Sequence, residues 1–174
     1  GHSWGANVAV NYASTYPHAL KGICLVDGGF IEISKIPENT FSKALISMAP
    51  PDFTNYTQSD FKERLNQRDW GEQDETSSAA NLTEIVLSNF VLQPNGKIHP
   101  KFSRSNHMQV IEAFWNHQPS KLFSAITCPV LYLPARMSGN ESHRNSTKED
   151  MIRLASESLT TFNTIWLENS IHDV

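Results

Sequence analysis

The sequence predicts an α/β fold in which helices pack against a mostly parallel sheet. The first indication is an apolar run within residues 21–29, which follows a helical pattern and stops at an acid and two glycines. A second run, within residues 128–134, precedes a predicted helix and a third short strand, residues 164–167. Continuous apolar runs of this length are typical of parallel strands that are buried on both faces.

The third indication is the pentapeptide Gly1–Gly5, which reads Gly-His-Ser-Trp-Gly and matches G-x-S-x-G. This pattern is typical of a tight turn that presents a nucleophilic serine between a strand and a helix. Ser3 would have a strained backbone, and the flanking glycines would let strand and helix approach without Cβ clashes. The Ser3 hydroxyl would then be free at the C-terminal edge of the sheet, with the backbone N–H of Trp4 directed at a developing oxyanion.

The residues after this turn have the periodicity of a helix and then of a strand. Residues 6–16 place apolar side chains at helical spacing, and Pro17 ends the pattern before the run in residues 21–29. In this order of elements, and in its last residues, the chain resembles the α/β-hydrolase superfamily. The resemblance implies the C-terminal half of a doubly wound, mostly parallel α/β-hydrolase sheet. We therefore expect a partial sequence, with further strands and a second oxyanion donor upstream of Gly1 and a cut at Val174.

Between the first two strands the alternation of strand and helix is lost, and residues 30–124 have a largely helical pattern. Asn95-Gly96 between apolar flanks favours a tight hairpin over residues 90–98. The helical stretch resembles the lid that many α/β-hydrolases insert after the sixth strand, where it shapes the substrate pocket. We expect helices at residues 41–48, 58–68, 79–90 and 105–116, an acidic loop at 71–78, and a division into hydrolase core (1–31), mostly helical lid (32–124) and hydrolase core (125–174).

The strand and helix alternation returns from Ala125. Residues 146–149 have the sequence of a capping box, which predicts a helix that begins there and runs to about Ser158. Met151 and Leu154 would face inward on this helix. The strand at residues 164–167 then leads into a loop that carries a histidine, which is how the last part of the superfamily ends.

The hydroxyl of Ser3 is a poor nucleophile at neutral pH and needs a base within hydrogen-bond reach. His172 is the best candidate, because it follows the last predicted strand, where the chain emerges at the same sheet edge as Ser3. His2 and His18 are its rivals. We expect His2 to point away along the turn and His18 to lie at the opposite edge, after the helix.

The histidine in turn needs an orienting acid. Most members of the superfamily have an aspartate shortly after the strand that corresponds to residues 128–134, but here the first acid after that strand is Glu141. Asp27 lies at the end of the strand that follows the helix after Ser3. This position resembles that of the acid in haloalkane dehalogenases, which follows the sixth strand. We favour Asp27, keep Glu141 as the alternative acid, and leave open that neither is the acid, since Asp27 could cap a turn. Asp173 is disfavoured because adjacent side chains diverge.

These residues predict acyl transfer by Ser3, His172 and Asp27 on a small-molecule ester, thioester, amide or lactone, through an acyl-enzyme intermediate. A serine at the nucleophile position argues against epoxide hydrolase or dehalogenase chemistry, which needs a carboxylate nucleophile. The alternative is a ligand-binding protein of the same fold without hydrolytic activity, or a C–C bond hydrolase. A third hypothesis is a structural or interaction domain in which the match of the pentapeptide to G-x-S-x-G arises by chance. No metal or organic cofactor is implied.

Composition limits the partners and the cellular setting. With 174 residues, 39% of them hydrophobic, the chain can build one ordinary domain. A formal charge of −4 without a basic block gives no indication of nucleic acid or an anionic membrane as a partner, and no apolar run approaches the ~20 residues of a transmembrane helix. Cys24 and Cys128 lie in predicted buried strands, so we expect reduced thiols in a cytoplasmic protein, with any secretion signal upstream. The oligomeric state is left open.

Overall fold

A computed structural model describes residues 1–68, 79–136 and 143–172 of the chain. The acidic loop expected at residues 71–78 lies outside the described residues, as do Glu141 and Asp173. The helices are α1 (Trp4–Thr15), α2 (Phe41–Ser47), α3 (Gln58–Asn66), α4 (Ala79–Leu87), α5 (Arg104–Asn116) and α6 (His143–Ser158). The strands are β1 (Ile23–Val26), β2 (Phe90–Leu92), β3 (Ile98–Pro100), β4 (Val130–Leu133), β5 (Ala135–Arg136), β6 (Phe162–Thr164) and β7 (Leu167–Glu168).

The sheet at the centre of the fold is parallel, as the apolar runs predict. Its strand order is β1-β4-β6, with Ile23 opposite Val130 and Val130 opposite Phe162. A second parallel pair, β5 and β7, continues the direction of β4 and β6. Because the strands are parallel, their carboxyl ends lie together, and loops that follow different strands meet at one edge.

The segment before α1 is held beside β1. His2 forms a parallel bridge with Val26, and the backbone N–H of Ser3 donates to the carbonyl of Val26 at 3.0 Å. The chain then turns directly into α1, which packs on the face of the sheet that carries Leu25. These contacts fix Ser3 at the carboxyl end of the sheet.

The main core lies between α1, the sheet and the short turns before β4. Small residues of α1, Ala6 and Ala13, are buried and allow close approach to the sheet. Phe30 has no exposed surface, and its ring lies 4.9 Å from the Phe123 ring and 4.6 Å from the Tyr132 ring, centroid to centroid. The first pair is edge to face and the second is tilted, and aromatic pairs at these distances add to the stabilisation that burial provides.

A second apolar cluster holds the helical segment together. Phe61 and Leu65, four residues apart on α3, are buried as their spacing predicts, and they pack with Leu87 and Ile98. A reciprocal capping box between Thr57 and Asp60 starts α3. The Asn95-Gly96 hairpin is confirmed as β2 and β3. Ile171 also packs against this cluster, which therefore supports the loop that carries His172.

Two sequence-based boundaries are wrong. The helix predicted to begin at the capping-box sequence of residues 146–149 begins at His143, so that sequence lies inside α6. The strand predicted at residues 164–167 is divided into β6 and β7. Pro134 accounts for the division, because it separates β4 from the paired β5 and has no N–H to continue a ladder.

The prediction that both cysteines are buried is wrong for Cys24. Cys128 is buried, but Cys24 is exposed, and neither is in a disulfide. Side chains alternate along a strand, so Cys24 lies on the face of β1 opposite to Leu25. The described residues leave that face accessible.

No helix in the described part of the chain combines the length and the apolar character needed to cross a bilayer. The division of the chain into two core parts and a lid stays a prediction.

Candidate active site

Ser3 occupies the tight turn between the segment beside β1 and the first residue of α1. Its φ is 51° and its ψ is −122°, a combination that side-chain-bearing residues rarely adopt. Backbone strain of this kind persists only where surrounding contacts over-determine the conformation, and it clusters at functional sites. Here the hydrogen bond to Val26 and the start of α1 provide those contacts.

The glycines around this turn differ in which neighbouring atoms an added Cβ would meet. A Cβ on Gly1 would overlap the backbone of Gly5, so the steric reason for a glycine at position 1 holds. A Cβ on Gly5 would meet no described atom within 4 Å, so the same reason does not extend to Gly5. Gly28 is the position that sequence reasoning missed. A Cβ there would overlap the Ser3 carbonyl oxygen and lie 2.8 Å from the Ser3 Cα.

Ser3, His172 and Asp27 are joined in one chain of hydrogen bonds. The His172 Nε2 atom lies 2.9 Å from the Ser3 Oγ, and the His172 Nδ1 atom lies 2.7 Å from the Asp27 Oδ2. The side chain of Asp27 is 5% exposed, whereas the imidazole of His172 is half exposed. The histidine is therefore accessible from solvent on one side and fixed by a buried carboxylate on the other.

Of the expectations about the two rival histidines, the one about His2 is wrong. His2 does not point away along the turn, because its Nε2 lies 2.7 Å from the backbone carbonyl of His172, and the two rings are 5.1 Å apart. The backbone pairing of His2 with Val26 brings its side chain to this loop. His2 thus contacts the peptide that carries the candidate base. His18 is exposed in the turn after α1.

Asp27 has more partners than a turn-capping role would need. Its φ of 38° turns the chain sharply at the end of β1. The Oδ1 atom accepts the backbone N–H of Ala135 at 3.0 Å and the ammonium of Lys148 at 2.6 Å. Lys148 was not recognised in the sequence. Its position on α6 continues a helical stripe of buried or partly buried side chains, Ile152, Ala155 and Leu159, and a lysine on such a stripe is the signal that could have identified it.

The electrostatic setting keeps Asp27 ionised. Burial alone would raise the pKa of its carboxyl, but the hydrogen bonds from His172, Lys148 and the Ala135 amide, together with the Lys148 charge, outweigh burial. The net result lowers the pKa of Asp27 from 3.8 to about 2. Asp27 is therefore an anion throughout the physiological range and presents a permanent acceptor to His172.

Trp4 follows Ser3 as the first residue of α1, so its backbone N–H has no acceptor within the helix. The Trp4 ring meets Phe114 of α5 edge to face, with centroids 6.2 Å apart. A cavity of about 380 Å³ adjoins this contact and includes Asn11, Asn116 and Lys121 in its lining. A second cavity, of about 610 Å³, lies within the helical segment and is lined by none of Ser3, Asp27 or His172.

Glu141, the alternative acid, lies outside the described residues. Within residues 1–68, 79–136 and 143–172, no group of three or more His, Cys, Asp or Glu side chains is arranged to hold a metal ion.

We expect Gly28→Ala to lower kcat at least about 100-fold, because the added methyl displaces the Ser3 backbone and a shift of about 1 Å is enough for such a loss. The matched control is Gly5→Ala, whose methyl meets no described atom within 4 Å, and its kcat should stay within a few-fold of wild type. Steady-state kinetics with an ester substrate measures both. Wild-type turnover by the Gly28→Ala variant would contradict the requirement for a close contact between Gly28 and the Ser3 backbone.

The parallel sheet, the serine turn at its carboxyl edge and the helical segment between the strands give the chain the α/β-hydrolase fold. Solved structures of this class match it over nearly its whole length. It is similar to E-2-(acetamidomethylene)succinate hydrolase, with a TM-score of 0.65, 17% identity, and coverage of 99% of this chain and 58% of that one. It is also similar to N-formylmaleamic acid deformylase from Pseudomonas putida (TM-score 0.62, 12% identity, 100% and 59% coverage). A peroxisomal α/β-hydrolase from Saccharomyces cerevisiae gives a TM-score of 0.62 at 14% identity, with 100% and 46% coverage.

This chain thus spans about half to three fifths of the length of the structures that it resembles. No protein-family profile matches the sequence. No curated protein matches it significantly either.

Proposed function

We propose that this protein is a serine hydrolase that cleaves an ester or a related acyl compound through a triad of Ser3, His172 and Asp27. The observation that carries the proposal is the continuous hydrogen-bond path from the Ser3 hydroxyl through the imidazole to the buried carboxylate. A nucleophile, a base and an acid that orients the base are the three parts that acyl transfer by serine requires.

In the first half of the reaction, the Ser3 Oγ attacks the carbonyl carbon of the substrate. The Nε2 of His172 takes the hydroxyl proton as the C–O bond forms, and the resulting imidazolium is stabilised by Asp27 through Nδ1–H. The same proton then passes from Nε2 to the leaving group as its bond to the carbonyl carbon breaks. An acyl-enzyme ester on Ser3 remains.

The tetrahedral intermediate carries a negative oxygen that needs donors. The backbone N–H of Trp4 is free of helical partners and adjoins the nucleophile, so it supplies one of them. The start of α1 adds the partial positive charge of a helix N-terminus at the same place.

In the second half, His172 accepts a proton from a water molecule, whose oxygen attacks the acyl carbon. Collapse of the second tetrahedral intermediate breaks the ester bond to Ser3 and returns the proton from His172 to the Ser3 Oγ. The products are the free acid and the restored serine. Asp27 stays ionised throughout the reaction, because its pKa of about 2 lies far below the pH of a typical assay.

The names of the similar structures favour a small acyl substrate. Two of them are named a deformylase and an E-2-(acetamidomethylene)succinate hydrolase, and another similar structure, with a TM-score of 0.55 and 17% identity, is described as an esterase from a marine microorganism. The cavity beside Trp4, with amide and ammonium side chains in its lining, offers polar groups to part of such a substrate. Esters and amides, both within the range of substrates predicted from the sequence, are therefore the substrates that we propose.

A fluorophosphonate probe tests the proposal in the full-length protein. We expect covalent labelling that mass spectrometry maps to Ser3, because the reagent traps a serine activated by a neighbouring base. Ser3→Ala should abolish labelling, whereas Ser14→Ala, which removes an exposed hydroxyl from the same helix, should leave the labelling rate unchanged. Absence of labelling in folded protein would favour the ligand-binding alternative and overturn the assignment.

A further inference from the structure

We propose that Lys148 is a positioning residue that holds the Asp27 carboxylate against His172 and offsets the charge of that carboxylate. It does so through a buried ion pair with the Asp27 carboxylate. The inference rests on the proposed function, since it assigns a role within the same triad. It concerns a cation on α6 that donates to Asp27 and Ala135 rather than to Ser3 or His172, and that a minimal triad does not need.

The contacts of Lys148 are short and specific. Its Nζ atom donates to the Asp27 Oδ1 at 2.6 Å and to the backbone carbonyl of Ala135, also at 2.6 Å. The side chains of Lys148 and Asp27 are only 9% and 5% exposed. Lysine is among the residue types that are least often buried, and it is buried where a partner compensates its charge.

The ion pair divides the two carboxylate oxygens between two tasks. Oδ1 is occupied by the Lys148 ammonium and the Ala135 N–H, while Oδ2 is left for the Nδ1 of His172. Rotation of the carboxylate would break three hydrogen bonds at once. Lys148 therefore keeps the Asp27 Oδ2 directed at the imidazole.

The same ion pair changes the energy of the protonated base. Asp27 stabilises the imidazolium form of His172, and the Lys148 cation on the far side of the carboxylate opposes that stabilisation. Removing the cation would leave the charge of the Asp27 carboxylate to act on the imidazolium without opposition.

Other ionisable groups lie around the pair in the described part of the chain, among them the exposed ion pair between Arg136 on β5 and Glu168 on β7. Tyr132, on β4, faces the carboxylate from inside the core, and Asp27 together with burial raises the pKa of its hydroxyl. His2 lies on the other side of His172. Among the described cations, Lys148 is the one whose charge lowers the pKa of Asp27.

The decisive experiment is the pH dependence of kcat/KM for Lys148→Met in the full-length protein. We expect the midpoint of the acidic limb to move up by about one pH unit, because the Asp27 charge then acts on the imidazolium without opposition. Lys148→Arg, which keeps the charge, should restore the wild-type midpoint. The matched control is Arg153→Met, which removes an exposed cation from the same helix and should leave the midpoint in place.

The pH profile separates this role from a purely structural one, because a loss of packing alone lowers kcat/KM without moving the midpoint of the acidic limb. A lower melting temperature, with kcat/KM reduced equally at every pH and an unmoved midpoint, would overturn the inference. That outcome leaves the proposed function intact if Ser3 is still labelled by the fluorophosphonate. Failure of wild-type labelling would instead remove the proposed function itself.

Discussion

Replacing His172 with alanine should lower kcat by a factor on the order of 10⁵ to 10⁶, about as much as Ser3→Ala. The two residues share one proton through a 2.9 Å hydrogen bond, so either loss disables the same step. For that reason the double variant should lose no more activity than either single variant. Rates at saturating substrate, measured above the acidic limb of the pH profile, give the comparison.

The control for this prediction is His18→Ala, because His18 is exposed in the turn after α1 and lies outside the hydrogen-bond path. Its kcat should equal that of wild type. If the losses of the Ser3 and His172 variants multiplied in the double variant, the two side chains would be acting independently. The assignment of His172 as the base would then be refuted.

Asp27→Asn should lower kcat by about 10⁴-fold, far more than Glu141→Gln. An asparagine can present an N–H to the imidazole, which favours the wrong tautomer, and it does not stabilise the imidazolium. The change also leaves the buried Lys148 ammonium without its carboxylate, so we expect lower thermal stability as well as lower activity.

Two measurements keep these effects apart. Thermal unfolding reports the stability of Asp27→Asn, and kcat at a temperature where the variant is fully folded reports the catalytic loss. Glu141→Gln serves as the matched control, since it makes the same change from acid to amide at the alternative position. Equal losses in the two variants, or a larger loss for Glu141→Gln, would contradict Asp27 as the orienting acid.

The parts of the site that the sequence reveals are those that follow from local pattern and strand direction. Gly-His-Ser-Trp-Gly predicts the strained turn at Ser3, and the carboxyl ends of parallel strands predict where Asp27 and His172 lie. The hydrogen-bond path confirms that these three residues are neighbours. Their catalytic roles stay proposals.

The features that the sequence did not reveal depend on packing between distant parts of the chain. Lys148 belongs to a sequence that reads as a capping box, and only its contact with a residue 121 positions away shows why it is buried. The requirement for glycine at position 28 comes from the Ser3 backbone, and no local pattern contains that information. The exposed Cys24 depends on which sheet face is covered, which an apolar run alone does not specify.

The hydrogen bonds of the site join residues that are 145 and 169 positions apart. Closing loops of that length costs conformational entropy before any contact compensates for it, and chains dominated by such distant pairings refold slowly. Neither α1 nor α6 contains the whole site, because Ser3, Asp27 and His172 come from distant parts of the chain. Recovery of turnover during refolding therefore reports the completion of the tertiary structure, and it should lag behind the recovery of helical circular dichroism.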